Sequence, residues 1–397
     1  GNYERDDWTE IIPQTEAVLQ GAALWGGKIF AQYEQNASSQ LRLFDLEGKV
    51  ISDIHLPALG TVFGSEGKWN HDEIFYGFVS FTVPPTIYRI DLSKPIHART
   101  ANGAFDEGTV FESSVWAKVD APSIDPSAYE VQQEWYRSKD GTKVPMFVVY
   151  KKGLKKDGHN PTLLTGYGGF NISMLPSFSR TAYLWMEHGG IYAVANLRGG
   201  AEFGEDWHRA GMLDKKQNVF DDMIAGAEHL IAEKYTDKDH LAIQGGSNGG
   251  LLMGAMITQR PDLFRAVVCQ VPLLDMLRYQ YFQIAKLWIP EYGSSDNPEQ
   301  FKWLYAYSPY HHVKAGTEYP AVLFMTADTD TRVDPMHAKK MAALMQDEAE
   351  NGKSRTRPIL LRIETKAGHG AGKPVTKQIE EFTDVYSFLF WQLGVKQ

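Results

Sequence analysis

The chain has 397 residues, of which 43% are hydrophobic and 22% are charged, a composition typical of globular proteins and long enough for two domains with sizeable cores. Its formal net charge of -9 argues against a general binder of nucleic acid or of anionic membranes, because both need a concentrated positive field. A small or neutral substrate fits this charge better.

The first part of the chain alternates short β-rich runs with turn signals. Between Trp25 and about Asp91 these runs are KIFAQYE, SQLRLFDLEGKVISDIHLP and EIFYGFVSFTVPPTIYRIDLS. They lack helical periodicity, which predicts antiparallel sheet, and the Glu-Gly pair in LRLFDLEGKV predicts a hairpin turn. Strands spaced in this way recur in sandwiches and propeller blades. One or two blades are too few to close a ring, so this part either has partner strands elsewhere or ends a larger structure.

The segment DAPSIDPSAY is rich in Pro, Ser and Asp and suits a linker. After it the sequence pattern changes from short β-rich runs to alternating strand and helix candidates. The next predicted element is a hairpin of VQQEWYRS and KVPMFVVYK around Lys139-Asp140-Gly141. Apolar strand candidates then alternate with amphipathic helix candidates, which predicts a mostly parallel, doubly wound α/β sheet. The strand candidates are PTLLTGY, IYAVANLR, HLAIQG, FRAVVCQVP, YPAVLFMTA and PILLRIET. The helix candidates are FDDMIAGAEHLIAEKY, GGLLMGAMITQ, PMHAKKMAALMQDEAE and KQIEEFTDVYSFLFWQL. We therefore predict a partial propeller over residues 1–122 and an α/β domain over residues 123–397.

The strongest local signal is HLAIQGGSNGGLLMGAMI, where a strand runs through a G-x-S-x-G turn around Ser247 into a helix. This strand-turn-helix setting is typical of a nucleophile elbow. Glycine is needed because a side chain at Gly245 or Gly249 is expected to collide with the neighbouring helix or strand. The elbow predicts a hydroxyl held at a helix N-terminus, where the dipole favours developing negative charge.

A serine hydroxyl needs a general base, and the sequence supplies candidates in the chain order Ser, acid, His of α/β-hydrolases. His369 lies in a glycine-rich loop after the strand candidate PILLRIET, and flanking glycines would let its ring reach the elbow. Three acids follow the strand candidate YPAVLFMTA, namely Asp328, Asp330 and Asp334. Spacing alone does not choose among them.

Other functional interpretations fit less well. Gly245 to Gly250 lacks the Lys-Ser/Thr pair of a phosphate loop, and the glycine run from Arg198 to Gly204 lacks a dinucleotide fingerprint and is interpreted as structural. His311 and His312 are adjacent and share no face, so no catalytic metal is predicted. The single cysteine, Cys269, lies in the apolar run AVVCQVP, which predicts a packing role. Neither a membrane-spanning stretch nor a secretory leader is evident, and with Gly1 at the start the compartment stays open between cytoplasm and periplasm.

Several motifs together resemble the prolyl oligopeptidase family, from about Val131 to the C-terminus. They are GYGGFN, NLRGGAEFGEDWH, GGSNGG, QRPDLF, DTRVDP and AGHGAGKP. The related oligopeptidase B group typically carries an Arg and an Ala around its serine, so the GGSNGG elbow favours the prolyl group. The resemblance implies an α/β-hydrolase fold behind a propeller that admits only short peptides.

The resemblance also implies roles for individual residues. Asp330 would be the acid of a triad with Ser247 and His369, while the Tyr167 hydroxyl and the Asn248 backbone N–H would bind the oxyanion. Arg332 would hold a substrate carbonyl, and Trp288 would stack on the proline ring. The residues that would close the proline pocket are Phe170, Leu273, Tyr292 and Val333; each could instead be an ordinary core residue.

The expected activity is cleavage of short peptides after proline, without metal or organic cofactor. Competing hypotheses are another serine hydrolase, such as an acylaminoacyl- or dipeptidyl-peptidase or an esterase, and a catalytically silent binding module. The family pattern has seven blades, of which residues 1 to about 122 resemble the last one or two. The chain is therefore either a fragment of a longer protein or is completed by a second polypeptide.

Overall fold

The computed structural model describes residues 4–99, 105–370 and 372–396. The chain folds into two compact units. One unit comprises Gly1–Ser127 with Leu175–Ser179, and the other comprises Ala128–Met174 with Arg180–Gln397. The domain boundary at residues 122 and 123 stays a prediction.

Apart from short 3-10 turns, such as the one at Arg5–Asp7, the first unit is built of β-strands in its described residues. Its strands are β1 (Val18–Trp25), β2 (Lys28–Gln35), β3 (Ser38–Phe44), β4 (Val50–Ile54), β5 (Thr61–Gly67), β6 (Glu73–Val79), β7 (Thr86–Asp91), β8 (Ile96–Arg99), β9 (Phe105–Val110) and β10 (Ser113–Lys118). They form two four-stranded antiparallel sheets, ordered β1-β2-β3-β4 and β10-β7-β6-β5, and a two-stranded pair β8-β9. Two four-stranded sheets match a partial β-propeller.

Alternation of side chains explains how these strands form a core. Leu41 and Leu43 on β3, and Ile74, Tyr76 and Phe78 on β6, are almost completely buried in one cluster. Residues two apart on a strand point to the same face, so each strand contributes one apolar face to this core. The predicted hairpin is present, because β3 pairs with β4 across the Glu-Gly turn.

The second unit is built on one eight-stranded sheet, ordered β11-β12-β14-β13-β15-β16-β17-β18. Its strands are β11 (Tyr129–Arg137), β12 (Lys143–Lys151), β13 (Thr162–Gly166), β14 (Ile191–Ala195), β15 (Leu241–Gly246), β16 (Ala266–Gln270), β17 (Ala321–Ala327) and β18 (Ile359–Glu364). Its helices are α1 (Arg180–Glu187), α2 (Glu205–Arg209), α3 (Gln217–Ala232), α4 (Asn248–Gln259), α5 (Ile289–Tyr292), α6 (Pro298–Tyr307), α7 (Met336–Glu348) and α8 (Val375–Leu393). Strand β12 pairs antiparallel with β11 and β14, and the later pairings are parallel, which is the α/β-hydrolase arrangement.

Both faces of this sheet are covered. On β15, Leu241 and Ile243 belong to the core cluster that includes α3, α4 and α7 residues, whereas Ala242 belongs to the cluster with α8. Burial on both sides explains why the strands read as continuous apolar runs. The Cys269 side chain is buried among α4 and β-strand residues, and burial raises the pKa of its thiol, in agreement with a packing role. None of the described helices combines the length and the apolar character needed to cross a membrane.

Candidate active site

Ser247 lies at the turn between β15 and α4, where a nucleophile elbow was predicted. Its backbone angles are φ 58° and ψ -118°, in a region that non-glycine residues rarely adopt. Its N–H donates to the carbonyl oxygen of Gln270 at 3.0 Å, which fixes the turn to the neighbouring strand β16. The half-buried serine thus ends a central strand and precedes the first turn of α4.

The glycines around Ser247 are crowded to different degrees. A Cβ at Gly245 would lie 2.4 Å from the Gly249 carbonyl oxygen, and one at Gly250 would lie 2.7 Å from the Gln270 carbonyl oxygen. At Gly249 the nearest atom, the Gly166 carbonyl oxygen, would be 3.2 Å away. The expected collision is therefore severe at Gly245 and mild at Gly249, and Gly250 is the second position that excludes a side chain.

Asp330 lies in the loop after β17 and His369 in the loop after β18, which we call the histidine loop, and the two side chains meet. His369 Nδ1 lies 2.7 Å from Asp330 Oδ2, and the Asp330 side chain is fully buried while the His369 side chain is 22% exposed. The two competing acids are occupied elsewhere: Asp328 accepts the Lys366 N–H, and Asp334 accepts the Met336 N–H. Only Asp330 among the three carboxylates contacts the imidazole in the described residues.

Hydrogen bonds hold the Asp330 carboxylate in its ionised form. Burial by itself raises the pKa of Asp330, but the hydrogen bonds from His369 and from the Val333 and Arg332 N–H groups outweigh it and leave the pKa lowered. Both backbone N–H groups donate to Asp330 Oδ1 at 2.9 Å. The carboxylate can therefore orient the imidazole with its other oxygen.

Ser247 and His369 are not hydrogen-bonded to each other in the described part of the chain. His369 lines a cavity of about 190 Å³ together with Gly246, the residue before the serine. A Cβ at Gly368 or Gly370 would meet nothing within 4 Å, so the histidine loop has open space around it. Ala371, in the AGHGAGKP motif, lies outside the described residues.

The predicted oxyanion donors flank the serine. Burial raises the pKa of Tyr167, and hydrogen bonding with Ser247 and the positive charge of Arg332 partly offset that rise. The Tyr167 hydroxyl therefore stays protonated at neutral pH and lies beside both residues. Asn248 is 1% exposed, and its side-chain Nδ2 donates to the Tyr167 carbonyl oxygen at 2.6 Å. That bond ties the start of α4 to the loop after β13.

The predicted pocket residues form an aromatic group next to this loop. The Phe170 ring packs edge-on against Trp288, at 6.4 Å between centroids, and against Tyr292, at 5.5 Å. The Tyr292 hydroxyl is buried and donates to Asn248 Oδ1 at 2.8 Å. Leu273 and Val333 are each 2% exposed and belong to the same core cluster as Trp288 and Tyr292. The structure thus brings Phe170, Trp288 and Tyr292 into contact, whereas for Leu273 and Val333 it shows burial in the core and their place in the pocket stays a prediction.

A buried charged group that the sequence did not reveal supports the Tyr167–Phe170 loop. Glu291 is 5% exposed; its Oε1 accepts the Phe170 N–H at 3.0 Å and its Oε2 lies 2.8 Å from His208 Nε2. The Lys216 ammonium lies 3.7 Å from Glu291 Oε1 and donates to the Gly168 carbonyl oxygen at 2.8 Å. Burial lowers the pKa of Lys216 to about 8, against the opposing effect of Glu291. We call Lys216, Glu291 and His208 the loop-support group.

The glycine run after Arg198 has a structural environment, as its sequence indicated. Arg198 is 4% exposed, and its guanidinium contacts the buried Asp222 at 2.6 Å and also Asp140 and Ser138. The two adjacent histidines, His311 and His312, contact a nearby residue: the Nδ1 atom of each lies within 2.9 Å of an oxygen atom of Ser308. Both sets of contacts fit a structural role.

Comparison with known proteins adds an independent observation. The family model described as the prolyl oligopeptidase family matches residues 176–396, and the model described as the prolyl oligopeptidase N-terminal beta-propeller domain matches residues 1–98. The chain belongs to the prolyl oligopeptidase family. The family resemblance read from the motifs is thereby confirmed, and so is the combination of a propeller part and an α/β-hydrolase part.

Individual members of the family align over nearly the whole chain. The prolyl endopeptidase of Elizabethkingia miricola is 42% identical over 396 residues, which are 100% of this chain and 53% of that protein. The prolyl endopeptidase of Dictyostelium discoideum is 40% identical over 398 residues, covering 98% of this chain and 50% of that protein. The chain therefore spans about half the length of the curated relatives that it matches.

Solved structures of prolyl endopeptidases and prolyl oligopeptidases also align over nearly the whole chain. A chain from a structural and mechanistic study of two prolyl endopeptidases aligns with a TM-score of 0.89 at 50% identity, covering 99% of this chain and 55% of that one. Prolyl oligopeptidase B from Galerina marginata, bound to a 35mer hydrolysis and macrocyclization substrate, aligns with a TM-score of 0.87 at 33% identity, covering 98% of this chain and 53% of that one.

Proposed function

We propose that this protein is a serine endopeptidase that cleaves short peptides on the carboxyl side of proline through an acyl-enzyme intermediate. The observation that supports the proposal is the strained elbow at Ser247, whose side chain hydrogen-bonds with Tyr167 and whose neighbour Gly246 lines a cavity together with His369. Relatives named prolyl endopeptidase support the substrate class.

In this mechanism His369 takes the proton from Ser247 as the hydroxyl attacks the scissile carbonyl, and later gives it to the leaving amine. Asp330, held ionised by backbone N–H groups, orients the imidazole and stabilises its protonated form. The histidine loop closes the remaining separation from Ser247 when substrate is bound. Water then attacks the acyl-enzyme by the same route and releases the peptide.

The negative charge of the tetrahedral intermediate falls at the elbow. The Tyr167 hydroxyl and the Asn248 backbone N–H are the donors proposed to bind it, and the dipole of α4 adds to their effect. Arg332, whose side chain is exposed but whose charge acts on Tyr167, is proposed to hold a substrate carbonyl nearby. These donors are fixed before the charge develops, so they favour the transition state.

Proline specificity is proposed to come from the aromatic group. Phe170 is half-buried and Trp288 is 9% exposed, and these two rings are proposed to contact the proline ring, while the more deeply buried Tyr292, Leu273 and Val333 are proposed to close the pocket. A rigid ring gains from a rigid apolar wall, and proline brings no N–H that the wall would leave unsatisfied. The loop-support group fixes the backbone of Gly168 and Phe170 and thereby positions both Tyr167 and the pocket.

The proposal is tested first at the serine. A fluorophosphonate probe should label the folded chain, and Ser247→Ala should abolish labelling and lower kcat by about 10⁶-fold while substrate still binds. Full activity of Ser247→Ala would show that another nucleophile acts.

The substrate class is tested separately with a peptide library. Cleavage after proline should dominate, and Trp288→Ala should remove that preference while labelling by the probe persists. Trp391→Ala is a matched control, because Trp391 is 54% exposed on α8. Cleavage without proline preference in the parent chain would favour an acylaminoacyl- or dipeptidyl-peptidase, or an esterase.

A catalytically silent module is the second candidate, and one observation favours it: Ser247 and His369 are not hydrogen-bonded in the described residues. A folded sample that resists the fluorophosphonate probe would support this candidate and would contradict the peptidase proposal.

A further inference from the structure

Two histidines and an aspartate converge on the hydrolase unit away from the elbow. His159 Nδ1 lies 2.9 Å from Asp237 Oδ2, and His240 Nδ1 lies 2.7 Å from Asp237 Oδ1. All three potential ligand atoms lie within 4.8 Å of one another. We propose that His159, Asp237 and His240 form a binding site for a divalent transition-metal ion, with Zn²⁺ as the best-matched ion.

The donor set suits that ion. Two imidazole nitrogens and one carboxylate are ligands that Zn²⁺ binds readily, with water in the fourth position. Ligand atoms about 2.1 Å from a common tetrahedral ion are separated by roughly 3 to 3.5 Å, so the present spacing needs only small side-chain shifts. The His159 side chain is 70% exposed and the Asp237 and His240 side chains are about one-third exposed. An ion can therefore reach the site from solvent.

The backbone holds these three residues in place before any ion binds. Asp237 Oδ1 accepts the N–H groups of Asp239 at 2.9 Å and of His240 at 3.0 Å, which fixes the carboxylate in a turn. On the other loop, the His159 N–H donates to Asp157 Oδ1 at 3.0 Å, and the Gly158 N–H donates to the Lys234 carbonyl oxygen at 3.0 Å. A prearranged site loses less conformational entropy when the ion binds.

The site lies at the starts of two central strands, which indicates that a bound ion would have a structural effect. His159 lies shortly before β13 and His240 immediately before β15, and these two strands pair in parallel. The Thr162 N–H donates to the His240 carbonyl oxygen at 2.9 Å, which already joins the two loops. Tyr167 and Ser247 follow the opposite ends of the same strands. The ion would therefore stabilise the central strands without contacting the reacting atoms.

The test is calorimetric titration of zinc chloride into the chelator-treated 397-residue chain. We expect His159→Ala and His240→Ala each to lower the affinity of this site at least about tenfold. Asp237→Asn keeps an oxygen for the turn but removes the charge, and it should weaken binding as well. The matched control is His71→Ala, an exposed histidine of the other unit, which should leave binding unchanged.

Thermal melting gives a second readout that does not depend on catalysis. Zn²⁺ should raise the Tm of the parent chain and of His71→Ala, and should raise it much less for His159→Ala and His240→Ala. Equal binding by all variants would place the ion elsewhere and overturn the proposal. Failure of the parent chain to bind Zn²⁺ would also overturn it, and would leave the three side chains as a hydrogen-bonded link between two loops.

Discussion

The phenolic hydroxyl of Tyr167 stands beside Ser247 and within the field of Arg332. If it donates to the oxyanion, Tyr167→Phe should lower kcat by about 100- to 1000-fold, because one donor aimed at the developing charge is lost. Steady-state kinetics on a proline peptide measures this. Tyr305→Phe, on a tyrosine that is 48% exposed on α6, is the control and should have normal kcat. An unchanged kcat in Tyr167→Phe would remove Tyr167 from the mechanism.

Lys216 should make stability depend on pH. Its pKa in the folded chain is about 8, below the ordinary 10.5, so between these values only the unfolded state keeps the proton. Unfolding then takes up a proton, and the contribution of Lys216 to stability rises with pH. Relative to Lys216→Met, the parent chain should gain about 1 to 3 kcal/mol between pH 7.5 and pH 10.

Urea unfolding at several pH values measures this difference. The neighbouring Lys215 is exposed, and Lys215→Met should track the parent chain at every pH. If the difference in unfolding free energy between the parent chain and Lys216→Met stayed constant with pH, the pKa of Lys216 would not be lowered in the folded chain.

Two adjacent glycines at the end of β15, Gly245 and Gly246, differ in the space available for a side chain. An alanine Cβ at Gly245 would lie 2.4 Å from the Gly249 carbonyl oxygen, whereas at Gly246 the nearest atom would be 3.6 Å away. Gly245→Ala should therefore cost about 1 to 3 kcal/mol of unfolding free energy, and Gly246→Ala should change it by less than about 0.5 kcal/mol. Chemical denaturation compares them directly, and equal losses would show that the strand-helix contact is not tight.

The sequence predicted most of these elements for a physical reason. Strands buried on both faces, such as β15 and β17, are mostly apolar. Helices α3, α7 and α8 carry an apolar stripe, and α4 is buried on nearly every side, so these elements leave a clear pattern in the sequence. Helix α6 was missed although Asn297 caps it and Pro298 begins it, because it is short and its buried residues, Leu304 and Tyr307, are few. Helix α1 spans only eight residues, too few for a clear period.

Some residues of the candidate site could be predicted from the sequence and others could not. Ser247, Asp330 and His369 were found because elbow, acid and histidine each follow a predicted strand, although only the family resemblance chose Asp330. The loop-support group was missed although His208 ends the NLRGGAEFGEDWH motif, because nothing in the sequence shows that residues 208, 216 and 291 meet in the fold. The sequence also does not distinguish the buried Lys216 from the neighbouring, exposed Lys215. Their tertiary placement alone makes one lysine buried and the other exposed.

At the scale of the whole molecule, each unit has its own core. Leu41 on β3 and Leu163 on β13 are both 1% exposed but belong to different clusters. Each Leu→Ala change should cost about 2 to 5 kcal/mol, and each should lower the unfolding temperature of its own unit. Differential scanning calorimetry of the two variants checks this. A single transition that both variants shift equally would indicate that the chain unfolds as one body.

A second polypeptide could supply further propeller blades, as proposed from the sequence. Native mass spectrometry of the purified protein tests it directly. A single species at the 44.7 kDa of this chain would contradict a permanent partner.

Asp330 Oδ1 accepts the N–H groups of both Arg332 and Val333, so a single carboxylate sets the course of the whole DTRV segment. If the chain is the proposed peptidase, substitutions in this segment should change both the triad acid and the proposed carbonyl-binding Arg332, and therefore reactivity together with substrate recognition. Trp288 lies in a separate part of the chain, so substitutions there should change the proposed proline preference without disturbing Asp330.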